Sequence, residues 1–130
     1  MNDEEINKNT TMRKGSVVML KRPMLGNNIY NVGVCYESYT LGNRTGLSFI
    51  FENGEYDGFS PEEQDLFLFE IDFSETISHY QFSNVIQLSD DFNYIKANAL
   101  DFLHLPQHIR DKQKKIMIRE EKIDSIIQSS

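Results

Sequence analysis

Apolar and polar residues alternate over Ile29 to Tyr39. Tyr30, Val32, Val34 and Tyr36 fall on one side, and Asn31, Gly33, Cys35 and Glu37 on the other. A period of two over that length predicts a strand. Ser16 to Lys21 is a shorter β-rich run. Leu47, Phe49 and Phe51 alternate with Ser48, Ile50 and Glu52, which predicts a third strand. Between the second and third strands, Thr40 to Gly46 holds Gly42, Asn43 and Gly46 and reads as a hairpin loop. Asn53-Gly54 follows Glu52 directly, and both residue types tolerate the positive φ of a type I′ turn, so a tight hairpin into a short fourth strand is expected. Ser60-Pro61-Glu62-Glu63 is a helix start, with Ser60 as cap, Pro61 at the first helical position and Glu63 closing a capping box. Leu66 to Ile71 reads as a further strand, which leaves room for a single helical turn before it.

The pattern then changes. All seven glycines lie between Gly15 and Gly58, so turns cluster in the first part of the chain and helices are expected later. His79 to Leu88, with Tyr80 and Phe82 alternating, predicts one added strand. Ser89-Asp90-Asp91 opens a helix with Ser89 as N-cap. Phe92, Ile95, Ala99 and Leu103 form its apolar stripe, and Pro106 ends it and fits the first turn of another helix. In that last segment Ile109, Ile116 and Ile123 recur every seven residues. The alternate heptad positions are Gln113, Glu120 and Ile127, which is half of a coiled-coil seam. The favoured reading is an amphipathic helix laid on its own domain, with pairing to a second chain as the alternative.

Strand, long loop, strand, hairpin, strand, tight turn, short strand, helical turn and strand within residues 15–72 resembles bacterial SH3-like small β-barrel domains. The resemblance rests on Val17 to Leu20, on Gly33-Val34, on Phe49-Ile50-Phe51-Glu52-Asn53-Gly54, and on Phe67 to Ile71. It implies a fold and no ligand, because the aromatic cluster of a proline-peptide groove is not identifiable. The expected class is α+β: a small SH3-like antiparallel β-barrel, an added strand and two C-terminal helices. The organisation expected is a disordered lead-in at 1–14, a barrel with added strand at 15–88, and a helical extension at 89–130.

Composition narrows the function. The 130 residues carry 13 Lys+Arg against 20 Asp+Glu, a formal net charge of −7. Fifteen aromatics argue against an acidic disordered polymer. One Cys allows no internal disulfide. Met1-Asn2-Asp3-Glu4-Glu5 is followed by no apolar h-region, and no apolar run approaches a membrane span, so a cytoplasmic protein without membrane contact is expected. No phosphate loop, nucleophile elbow or zinc-protease motif is present, and no two carboxylates are singled out as acid and base. No enzymatic activity and no cofactor are expected.

Charge is unevenly placed. Glu52, Glu55, Asp57, Glu62, Glu63, Asp65, Glu70 and Asp72 lie in one window without a basic residue. Such repulsion favours a counter-charge, cation or partner. The leading expectation is a non-catalytic protein-interaction module whose acidic docking face comprises Glu52, Glu55, Asp57, Glu62, Glu63 and Asp65, with Tyr56 and Phe59 as apolar anchors. Its partner would be a protein with a basic, nucleic-acid-binding surface, as for toxin-neutralising immunity proteins or nucleic-acid-mimicking phage proteins. Direct nucleic-acid binding by the acidic barrel is disfavoured, since phosphate contacts need Lys and Arg. The exception is the basic tail, where Arg110, Lys114, Lys115, Ile116 and Ile123 are candidate nucleic-acid or homodimer contacts.

Metal readings are weak. Asn53 to Gly58 imitates the first half of an EF-hand loop, but position 9 is Pro61 and position 12 is Gln64. His104 and His108 are separated by Pro106, and His79 and Cys35 are remote, so no zinc set is expected.

Overall fold

The computed structural model describes residues 12–71 and 91–129, with side chains through Glu121. The expected strand at 79–88, the Ser89 cap, Asp72, His79, the side chain of Ile123 and most of the lead-in lie outside the described residues.

The chain forms an α+β structure. Strands β1 (Val17–Leu20), β2 (Val32–Leu41), β3 (Arg44–Phe51) and β4 (Tyr56–Phe59) are followed by helix α1 (Pro61–Phe67) and strand β5 (Leu68–Glu70). Helices α2 (Phe92–Phe102) and α3 (Gln107–Ser129) complete it. The sheet is antiparallel, in the order β4-β3-β2-β1-β5. Among the described residues its two edge strands, β4 and β5, do not pair with each other, so the sheet is not closed into the expected barrel.

Apolar residues occupy both faces of this sheet. One face gathers Val18, Leu20, Cys35, Phe49, Phe51, Phe59 and Leu68. Here Phe59 meets Phe49 edge-on at 5.5 Å and Phe51 at 5.9 Å. The other face gathers Val17, Met19, Val32, Val34, Ile50 and Ile71, and α2 and α3 cover it with Ala99, Leu103, Leu105 and Met117. Double burial explains two sequence features. β1 is an unbroken apolar run because both of its sides are inside. Ile50 occupies the polar phase of β3 because that phase faces the helices.

Several elements differ in extent from their sequence patterns. β2 begins at Val32, because Tyr30 has φ +76° and leaves the extended region. The first hairpin keeps pairing through Leu41 and Arg44, so its loop shrinks to Gly42-Asn43. Only Gly42 has positive φ there (+63°), as a type II′ turn requires at its first position. The β3–β4 connection is not the expected two-residue type I′ turn. Gly54 N donates to Phe51 O at 2.8 Å and Phe51 N to Glu55 O at 2.9 Å, which makes Glu52-Asn53-Gly54 the loop, with positive φ at Gly54 alone. The reason is the Asn53 side chain. Its Oδ1 accepts from Glu55 N and from Asn27 Nδ2, both at 3.0 Å, and its Nδ2 donates to Leu25 O at 2.8 Å. Asn53 thereby ties this turn to the long β1–β2 loop, where Asn27 is buried.

α1 carries the capping box read from Ser60 and Glu63, but it runs seven residues and takes Leu66 and Phe67 from the expected strand. α2 is capped by Asp91, whose Oδ1 accepts from Asn93 N at 2.9 Å. Phe92 lies against Tyr36 and Tyr56, at ring distances of 5.5 Å and 4.6 Å. Met12 packs on the Phe59 face.

Candidate functional site

The acidic window divides by what each carboxylate touches. Glu52 directly follows β3 and is half-buried. Its Oε2 accepts from Val32 N at 2.7 Å and from Arg110 Nη1 at 3.0 Å. Arg110 in turn donates from Nη2 to Leu103 O at 3.1 Å and from Nε to Leu105 O at 3.4 Å. One guanidinium, from the first turn of α3, thus joins the Leu103 carbonyl at the C-cap of α2, the Leu105 carbonyl in the α2–α3 connection and the residue after β3. Carbonyls at a helix C-terminus are a favourable place for a cation. These contacts correct the expectation at both residues: Glu52 and Arg110 are engaged with each other inside the molecule.

Phe59 is corrected as well. It is 2% exposed in the aromatic cluster and presents nothing to a partner. Its place in the alternation of β4 follows from pairing with Leu47, and no composition signal distinguishes it from Tyr56. Tyr56 is half-exposed and packs against Phe92, with the two rings tilted by 52° at 4.6 Å.

Asp57 Oδ1 accepts from Gly58 N at 2.7 Å, and Glu63 Oε1 accepts from Ser60 N at 3.0 Å. Glu70 accepts from Ser16 Oγ at 2.9 Å. Glu55, Glu62 and Asp65 remain. All three are exposed, and among the described residues their side chains make no hydrogen bond or ion pair. They lie on the β3–β4 turn and on α1, next to exposed Tyr56 and Leu66. Leu66 is not among the sequence candidates, because the pattern assigns it to the strand Leu66 to Ile71. Glu62 and Glu63 also share a cleft with Tyr39, Leu41, Arg44 and Pro61.

On α3 the helix has two working sides. Gln113 and Met117 are buried, and Ile109 packs on the same core. Lys114 lies 4.5 Å from the Tyr30 ring centroid, a cation–π contact within the chain. The opposite side carries His108, Lys112, Lys115 and Arg119 around Ile116, with Asp111 among them. Of the sequence candidates, exposed Lys115 and half-buried Ile116 therefore line a cleft on that side, Arg110 turns inward, and exposed Lys114 lies over the Tyr30 ring. His108, Lys112 and Arg119 complete a stripe with spacings of four, three and four residues, a helical period visible in the sequence.

Burial pushes the Cys35 thiol up to about 12, and Sγ donates to Glu37 O at 3.5 Å. Such a thiol is a poor nucleophile near neutral pH. Burial, then the neighbouring Glu37 charge, raises the Tyr36 hydroxyl. No group of three His, Cys, Asp or Glu side chains able to hold a metal ion occurs among the described residues. No helix there is long and apolar enough to cross a membrane. Comparison with protein-family models, with curated proteins and with solved structures returns no match to this chain.

Proposed function

We propose that this protein is a non-catalytic protein-interaction module of SH3-like build that docks on a basic protein surface through an acidic edge. The antiparallel order β4-β3-β2-β1-β5 and the short helix ahead of β5 support the SH3-like reading. The observation that carries the docking reading is that Glu55, Glu62 and Asp65 are exposed and unpaired among the described residues, beside the apolar surface of Tyr56 and Leu66. Charged groups around a few aromatic or aliphatic contacts form the usual rim and centre of a protein interface. The partner class is a basic surface of the kind that holds nucleic acid, and the action there is steric and electrostatic occlusion. A cytoplasmic setting fits this reading.

The test is reversal of Glu55, Glu62 and Asp65 to Lys together. Capture of a basic partner from host lysate by the parent protein should be lost, with the unfolding midpoint within a few degrees of the parent. Undiminished capture by the reversed protein overturns the reading.

A second reading is favoured by the stripe His108, Lys112, Lys115 and Arg119 on the outer side of α3. It makes the protein a nucleic-acid-binding accessory. It requires salt-sensitive retardation of DNA or RNA that is lost when Lys112, Lys115 and Arg119 become Glu. No retardation at low salt removes it. Homodimerisation through the α3 isoleucines is the remaining reading; Ile109 packs on the chain's own core, so Ile116 would have to carry it, and a monomeric mass at high micromolar concentration disposes of it.

A further inference from the structure

Among the described residues, strand β4 is an edge of the sheet and pairs on one side only, with β3. The bond from Phe51 N to Glu55 O sets the phase of that ladder. In an antiparallel pair the hydrogen-bonding residues alternate, so Asp57 and Phe59 turn their backbone groups to β3. Tyr56, Gly58 and Ser60 turn theirs outward. An outward row of this kind is a template for adding another strand. Two of its three amides are already occupied by side chains of the same chain. Gly58 N donates to Asp57 Oδ1 at 2.7 Å, and Ser60 N donates to Glu63 Oε1 at 3.0 Å. The Ser60 carbonyl is engaged as well, by Gln64 N at 2.9 Å.

We propose that β4 is a masked strand-addition edge whose fitting partner is β4 of a second copy, and that Asp57 and Glu63 hold it closed. The partner follows from the geometry of the edge. An antiparallel strand laid beside itself about a two-fold axis at Gly58 sets the Gly58 N–H against the Gly58 carbonyl of the second copy and the Ser60 N–H against its Tyr56 carbonyl, a self-complementary contact. Tyr56, half-exposed, would bring apolar surface from both copies to that seam. In the parent protein the same pairing breaks the Asp57 and Glu63 bonds. It also sets Glu55 and Asp57 of one copy near the same carboxylates of the other. Hydrogen bonding and charge thus oppose the contact together, and conservative variants separate them. Asn at 57 and Gln at 63 keep a carbonyl acceptor for each amide and lose the charge. Ala at either position loses both.

The experiment measures mass by light scattering over a concentration series, with the parent as reference at each concentration. Amide exchange is followed at Gly58 and Ser60. Asp57→Ala with Glu63→Ala should show roughly twice the parent's mass at high concentration, with slowed exchange at Gly58 as concentration rises. Asp57→Ala alone leaves the α1 cap intact and should shift in the same direction, which keeps the test valid if the double variant folds poorly. Asp57→Asn with Glu63→Gln should keep the parent's mass. Two results overturn the proposal. One is an unchanged mass and unchanged Gly58 exchange in Asp57→Ala. The other is equal association by the Asn/Gln pair, which would assign the effect to charge alone.

Discussion

Removal of the Arg110 guanidinium is the sharpest test of how α3 is held. Arg110→Ala deletes the 3.0 Å ion pair to Glu52 and the donors to Leu103 O and Leu105 O. The side chains of Arg110 and Glu52 are 22% and 28% exposed, so the pair lies between the surface and buried limits. Exposed pairs contribute about 0.2–1 kcal/mol, and breaking a fully buried pair costs about 3–5 kcal/mol. Water can replace part of what the two carbonyls lose. Glu52 keeps its bond from Val32 N, which limits the penalty on the carboxylate left behind. The expected loss for Arg110→Ala is therefore about 2 kcal/mol. For a chain of this length that is a fall of roughly 7 °C in Tm.

The assay is urea unfolding at constant m for the parent, Arg110→Ala, Glu52→Gln and the double variant. The cycle should return a coupling of about 1 kcal/mol between the two residues. Lys115→Ala, on the outer side of the same helix, is the control and should be nearly neutral. Because both partners are partly shielded, the coupling should survive moderate salt better than that of an exposed pair. A loss at Arg110 no larger than at Lys115, or a coupling indistinguishable from zero, would refute the placement of α3 on the sheet through this bridge.

Three further outcomes follow from the same packing. Met117→Ala leaves a void under α3 and should cost about 2–4 kcal/mol in denaturant unfolding, whereas the outer Ile116→Ala should cost under about 1 kcal/mol. Gly33→Ala would bring a Cβ to 2.5 Å from Phe51 Cδ1, so it should destabilise by about 1–3 kcal/mol and slow refolding yield, and a neutral result would mean that β2 and β3 are further apart. Cys35 should resist a thiol reagent at pH 8 until the protein is unfolded. Since its folded pKa is raised to about 12 from 9.0, the unfolded chain loses that proton first, so the contribution of Cys35 to stability is constant below about pH 9 and falls as pH rises toward 12. Rapid stoichiometric labelling of the native protein would contradict this.

How much of this was legible depended on how local the determining contact is. The capping box at Ser60 and Glu63 is a four-residue pattern and is read directly. The stripe Ile95, Ala99 and Leu103 is likewise visible, because helical spacing alone brings those residues to one core. The Asn53-Gly54 turn misled, since its form is decided by Asn27 and Leu25, more than twenty residues away. The pairing of Arg110 with Glu52 spans 58 residues, and no local pattern in either segment marks it. Phe59 and Tyr56 look alike in sequence, and only pairing of β4 in register with β3 sends one ring inside and leaves the other half-exposed.

The same distinction governs the carboxylates. Treated as charges, the eight residues of the window are interchangeable and point to one docking face. Treated as acceptors, they are not. Glu52, Asp57 and Glu63 each bind a backbone N–H, of Val32, Gly58 and Ser60 respectively. A carboxylate accepting such a bond stabilises the fold locally, and replacement by Lys removes the acceptor together with the charge. Reversal at those positions would therefore weaken partner capture through the fold even if no partner touched them. Among the described carboxylates of that window, Glu55, Glu62 and Asp65 are the ones whose side chains make no hydrogen bond, so their charge can be changed with these contacts intact and the docking reading stands or falls on those three.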